Sequence, residues 1–366
     1  MLKKLLLTLL VFTLVFCKKK PKTVDEDPAE SFDKKGMLTN IADNVIIPSY
    51  TVFKISLDSL SLAFNTFNSS NSLTDFQKVK SKFNAVYLNY QRISLFEFGP
   101  AETNILRMNL NVFPTDSVQI KSNVASGSYD LSSAINFDAK GLPALDYLFY
   151  GKNQNEAVIV QSFSTTPNRK QYVTDLINDM SVKVNSIVGS WNGTYRSQFI
   201  NSLNTDIGSS IGFLVNQLNF ELDYLKNNKI GIPLGKKTLG IPEPTKCEAY
   251  YGEQSVQYAV ETLHAIENVY LGRSQSGNDG KGFDDYLEHL KSQYNGQSLN
   301  VAINNQFSIA KTKLAAIQNP LSSQVISNVA VVDAAYLELL KLLVLLKTDM
   351  PSSLGVIITY QDGDGD

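Results

Sequence analysis

The chain has 366 residues, 43% of them hydrophobic and 19% charged, with a formal net charge of −2. Such a length has room for about two or three domains and a large core, and the composition is globular rather than disordered. The near-neutral balance gives no electrostatic reason to expect nucleic acid as a partner, and a total of two histidines excludes a His-rich metal or acid–base site.

The first residues address the compartment. "MLKK" is a basic segment, and "LLLTLLVFTLVF" is an apolar run shorter than the ~20 residues of a spanning helix, which together read as an export signal over residues 1–17. Cys17 follows at once. The stretch "LVFC" resembles the bacterial lipoprotein processing site, which implies a lipid on Cys17, a membrane as partner through it, and a place on the periplasmic face or outer membrane of the envelope. Phe16 departs from the small residue preferred before the cysteine, and an uncleaved membrane anchor is the alternative. Residues 18–36 are rich in Lys, Asp, Glu and Pro and read as a flexible tether. With Cys17 acylated, Cys247 has no partner in the chain, so no disulfide is expected. Cys247 reads as a half-buried small residue, with a reactive thiol as the alternative.

Helical periodicity dominates from there. Phe53, Leu57, Leu60, Phe64 and Phe67 form one apolar stripe, with Pro48 upstream expected to start or kink that helix. Phe76, Val79, Phe83, Val86 and Tyr90 form a second stripe, and the two predict a helical hairpin. Gly99 to Lys140 reads as irregular, with turn-forming "FGPAE", "FPTD" and "SGSYD". Gly141 to Tyr150 predicts a short helix with Pro143 in its first turn and Gly151 closing it. "EAVIVQSF" fits a strand, an extended connector or a helix start, and "RKQYVTDLINDMSVKVNSIVGSW" is helical.

After "WNGTY" a stripe runs through Ile200, Leu203, Ile207, Ile211, Leu214, Leu218, Leu222 and Leu225. A Gly/Pro loop leads to a helix ending near Gly272, and two more helices follow around 301–318 and 325–346. The last is apolar nearly all round but carries Asp333, Glu338 and Lys341, which favours the central helix of a bundle over a membrane span. The expected fold class is all-α, with two four-helix-bundle-like domains side by side, over 37–192 and 193–366. "LPALDYLFYGK" and "LHAIENVYLGR" can be laid over each other, which suggests an internal duplication.

Several blocks share an order with one family. "DNVIIPSY", "YQRISLFEFGP", "NVFPTD", "KGLPALDYLFYG", "IGIPLG", "CEAYYG", "GKGFDDYL" and "TYQDGDGD" together resemble the imelysin family over nearly the whole mature chain. The resemblance implies an all-α, two-domain protein exported to the bacterial envelope. It also implies one of two roles, since some members are described as peptidases and others as iron-regulated proteins tied to iron uptake. The family's signature, Gly-any-His-any-any-Glu, falls on Gly141 to Asp146. Gly141 is kept, Pro143 stands in place of His, and Asp146 in place of Glu. A His and an acid three apart share a helix face and could bind one ion, but proline has no donor, acceptor or proton to give.

The substitution leaves two expectations. One is a noncatalytic, lipid-anchored protein binding an unidentified protein or small ligand, linked to iron uptake. The other is a metal-dependent peptidase with iron or zinc at an altered or shifted site. His264 and Glu267 repeat the His-any-any-Glu spacing in the second copy, with Asp284, Asp285 or His289 as third ligands, against a plain His–Glu pair on a helix face. Arg92, Glu97 and Asp116 lie in blocks shared with the family and could line a cleft with Asp146 or bond to loop backbone. Asp362, Asp364 and Asp366 alternate like calcium-binding oxygens, or dock a frayed terminus.

Overall fold

Asp33 opens the folded part: its carboxylate accepts the Gly36 amide at 2.8 Å and caps a helix over Lys34–Asn40 (α1). That helix starts inside the stretch expected to be tether. The structure is a computed structural model, and it describes residues 31–360. The export segment, Cys17 and the terminal acids Asp362, Asp364 and Asp366 lie outside the described residues.

Proline shapes three helices in the same way. A π turn over Ile41–Ile46 leads into Ile47–Ser70 (α2), placing Pro48 second in the new helix. A proline cannot donate to the carbonyl four residues back and its ring clashes with that carbonyl, and the wider π turn carries the chain past it without a break. The same device recurs near the C-terminus and in the middle of the chain, as given below. Leu73–Gln91 (α3) returns along α2 after a left-handed Asn71, which is the expected hairpin.

The stretch expected to be irregular contains short helices, Pro100–Thr103 (α4), Leu106–Leu110 (α5) and Ser117–Ser126 (α6). Gly141–Tyr150 (α7) is as expected, and "EAVIVQSF" lies in a helix, Glu156–Thr165 (α8), capped by Asn155. Pro167–Asn192 (α9) packs against α2. A cluster of buried phenylalanines joins these helices, with Phe67 5.1 Å from Phe76 and 5.4 Å from Phe163, and Phe83 5.4 Å from Phe149. Such pairs add about 0.5–1.5 kcal/mol each beyond their buried area.

The stripe from Ile200 to Leu225 is not one helix. Tyr195–Asn201 (α10) ends, a turn with Gly208 at φ +90° follows, and Ser209 caps Ser210–Tyr224 (α11). Leu203 and Ile207 therefore stand exposed, which corrects the continuous reading. A π turn over Leu225–Gly231 precedes Pro233 in Ile232–Leu234 (α12). Then come Ser255–Tyr270 (α13), Phe283–His289 (α14), a two-residue antiparallel pairing of Gln293–Tyr294 (β1) with Gln297–Ser298 (β2), and Leu299–Ala315 (α15). Leu321–Ser327 (α16) and Val329–Val344 (α17) lead through a π turn, Leu345–Asp349, to Met350–Leu354 (α18) with Pro351 second. Helix α17 buries Val332, Ala335, Leu339 and Leu342 but exposes Leu337, Leu340 and Val344, so it lies at the surface rather than at a bundle centre.

The fold class is all-α. From Asp33 to Tyr360 the chain is one compact unit, packed across position 193. Phe98 stacks on Phe199 at 5.8 Å and on Phe213 at 5.6 Å, Trp191 meets Phe199 edge-on at 5.2 Å, and α3 lies against α13.

Candidate functional site

Gly141 starts α7 with φ +70°, and a side chain there would meet the backbone of Asn109 and Leu110 at the end of α5. That close approach brings the helix start against α5. Pro143 sits in the first turn, where an amide is not needed. One helical step on, Asp146 is 2% exposed, and its two carboxylate oxygens accept the Tyr251 and Gly252 amides, each at 2.9 Å. A side chain on Gly252 would strike that carboxylate. Asp146 thus fastens the turn after Cys247 to α7. Burial pushes its carboxyl up to about 7, against the two amides and nearby Lys152, which favour the charged form.

Asp146 and Pro143 line a cavity of about 240 Å³ closed by Phe113, Lys246, Tyr250 and Tyr251. Cys247 is also in its wall, free and 2% exposed, its thiol pushed up to about 12 by burial, which fits a packed residue rather than a reactive one.

Behind the cavity lies a buried charged network. Glu248 turns inward, accepts from Asn111 at 2.7 Å and Gln91 at 3.2 Å, and pairs with Lys229 at 3.1 Å. Lys229 donates to Thr262 at 2.9 Å, and the Tyr87 hydroxyl to Asn111 at 2.8 Å. A second centre forms on Arg107. Glu97 accepts from its amide at 2.8 Å and from its guanidinium at 3.1 Å, Glu221 pairs with it, and its cation lies 4.5 Å from the Tyr224 ring. Burial would raise the Glu221 carboxyl, but Arg107 and Lys229 outweigh it and hold it below the usual range. Burial wins at Glu97, whose carboxyl is raised despite Arg107.

The expected site residues are therefore dispersed. Pro143 and Asp146 line the first cavity, Gly141 packs the start of their helix against α5, and Glu97 is in the Arg107 centre. Asp116 is exposed and caps α6 by accepting the Val118 and Gln119 amides at 2.7 and 3.0 Å, a structural role. Arg92 is at a second cavity, of about 390 Å³, where it pairs with Glu261. His264 and Glu267 are there too, on one face of α13 as their spacing predicts. Glu267, however, is held by Lys311 through both oxygens at 2.7 Å and by Arg273 at 3.4 Å. Asp285 accepts the Gly282 amide at 2.9 Å and caps α14.

Arg107, Glu221, Lys229, Glu248, Gln91 and Thr262 were not foreseen. Two of them carried a signal: Glu221 is seven residues from Leu214, and Lys229 seven from Leu222, so both interrupt an apolar seam.

Pro143 has no ligating atom, both Asp146 oxygens already accept amides, and no three His, Cys, Asp or Glu side chains converge among the described residues. The residues do not fit a bound iron or zinc.

The family model for imelysin matches residues 46–346. Iron-regulated protein A of Synechococcus elongatus is 20% identical over 300 residues, covering 79% of this chain and 78% of that protein. A crystal structure described as an iron-regulated protein A precursor, from Parabacteroides distasonis, superposes with a TM-score of 0.72 at 15% identity, over 88% of this chain and 95% of that one. An imelysin-like protein from Psychrobacter arcticum superposes at 0.69 and 16% identity, over 89% and 97%.

Proposed function

The chain belongs to the imelysin family, and from that premise we propose that it is an exported, lipid-anchored member that binds a ligand or partner rather than cleaving peptides, in the service of iron uptake. The observation that carries the reading is the state of the motif. Its imidazole position is Pro143, and its carboxylate accepts the Tyr251 and Gly252 amides, one on each oxygen. What remains is a small cavity with aromatic walls from Phe113, Tyr250 and Tyr251 and one cation, Lys246, a composition suited to holding a molecule. Export and the anchor are supported by the basic and apolar leader and by "LVFC". The link to iron is supported by the name of the Synechococcus relative.

The test is elemental analysis after incubation with zinc and ferrous iron, together with cleavage of a peptide library with and without chelator. The expected outcome is no stoichiometric metal and no chelator-sensitive cleavage. Stoichiometric metal lost in Asp146→Asn or His264→Ala would overturn the reading in favour of a metal-dependent peptidase. For the anchor, incorporation of labelled fatty acid should vanish in Cys17→Ser. For the iron link, transcript levels should rise under iron limitation.

A further inference from the structure

We propose that the second cavity is a binding site for a small organic carboxylate. It shares no lining residue with the cavity at Asp146, and it stands whether or not that cavity binds anything.

Three cations converge on it from separate parts of the chain: Arg92 from the end of α3, Arg273 just after α13, and Lys311 from α15. Glu261 and Glu267 are the two carboxylates among them. Three positive and two negative side chains leave one positive charge in excess, which matches a single carboxylate.

The cations are already oriented. Arg92 is fixed by Glu261, by Asn89 at 3.0 Å and by Gln275 at 3.2 Å; Arg273 by Asn268 at 3.1 Å; Lys311 by both oxygens of Glu267. Their donors are not exhausted. Arg92 Nη2 and Arg273 Nη1 have no hydrogen-bond partner among the described residues. His264 at the rim likewise has none. Planar guanidinium donors held by neighbours suit a planar carboxylate, and a fixed fork loses less freedom on binding.

The rest of the wall is mixed, with Ser49, Asn268, Ser274 and Gln275 beside an apolar part. Val45, Phe96 and Ala265 are each buried and face the cavity, so the ligand's stem can be hydrocarbon. A volume of about 390 Å³ lies at the small end of ligand sites, with room for a molecule of amino-acid to dipeptide size. A metal is disfavoured here, because the excess charge is positive and Glu267 is held by two cations.

The test is calorimetric titration of the full lipidated chain in detergent with succinate, L-glutamate and inorganic phosphate at low ionic strength. The expected result is one site for at least one of the two carboxylates, weakened about tenfold or more in both Arg273→Gln and Arg92→Gln. Arg273→Lys, which keeps charge but loses the fork, should fall between. Lys246→Ala, in the other cavity, should bind as the parent does. Circular dichroism of each variant confirms the fold. No carboxylate binding at millimolar concentration, binding in the two glutamine variants as tight as in the parent, or phosphate binding tighter than either carboxylate would overturn the proposal.

Discussion

The two copies of the repeated segment stand beside cavities of opposite character. In the first copy α7 begins at Gly141, so Pro143 occupies a first turn. In the second, α13 begins at Ser255, so the matching His264 is in mid-helix, where proline would cost ~3 kcal/mol. The matching acids differ as well. Asp146 is buried and held by backbone amides, whereas Glu267 is held by Lys311 and Arg273. Both copies end in a glycine with positive φ, Gly151 at +45° and Gly272 at +59°, followed by Lys152 or Arg273. A shared local pattern thus sets the helix end, while the neighbouring elements decide what the acid does.

The contrast between buried and solvent-reached charge can be broken most strongly at Arg107. Removing it in Arg107→Ala leaves Glu97 and Glu221 without their common cation, and should cost about 3–5 kcal/mol. Arg273→Ala, at a partly exposed pair, should cost no more than about 1 kcal/mol. Urea denaturation of both measures the difference, and equal losses would show that burial does not separate the two regions.

A smaller effect is expected at Asp146. Its carboxyl is raised in the folded state, so the native protein binds more protons than the unfolded chain between the ordinary carboxylate value and about 7. That contribution to stability is full below the ordinary value and is lost as pH rises through about 7. Asp146→Asn offers one acceptor where two amides point, and should be less stable than the parent by about 1–3 kcal/mol at pH 5. The gap should narrow as pH rises to 8. A gap that widens with pH would mean that the carboxylate is favoured in the fold, contrary to its burial.

The helices and the first cavity were legible to different degrees. The stripe from Phe53 to Phe67 and the Pro143 turn could be read because each depends on local spacing. The break between Ile200 and Ile211 was missed because Leu203 and Ile207 keep the helical period although they face solvent. The same bias hid Glu221 and Lys229, since a stripe read from apolar residues passes over the charges set within it. Asp146 was visible as a motif position, but its partners, the Tyr251 and Gly252 amides, lie more than a hundred residues away and donate from backbone. No side-chain pattern encodes such a contact. The second cavity depends on four distant segments meeting, and only the His264–Glu267 spacing and Arg92, in a block shared with the family, marked it.

The smallest effect on stability, and the sharpest on ligand, is expected from Glu267→Gln. The carboxylate is 9% exposed, but Lys311 and Arg273 around it keep access to water. Their release should change stability by about 1 kcal/mol or less. The cavity's excess charge rises from one to two, since one of two carboxylates is removed. If Glu267 chiefly neutralises the cations, carboxylate binding should tighten severalfold, and the gain should shrink as salt is raised. If binding weakens instead, the carboxylate's main work is to aim Lys311 and Arg273. The second copy would then resemble the first, with an acid that serves as a fastening rather than a counter-charge.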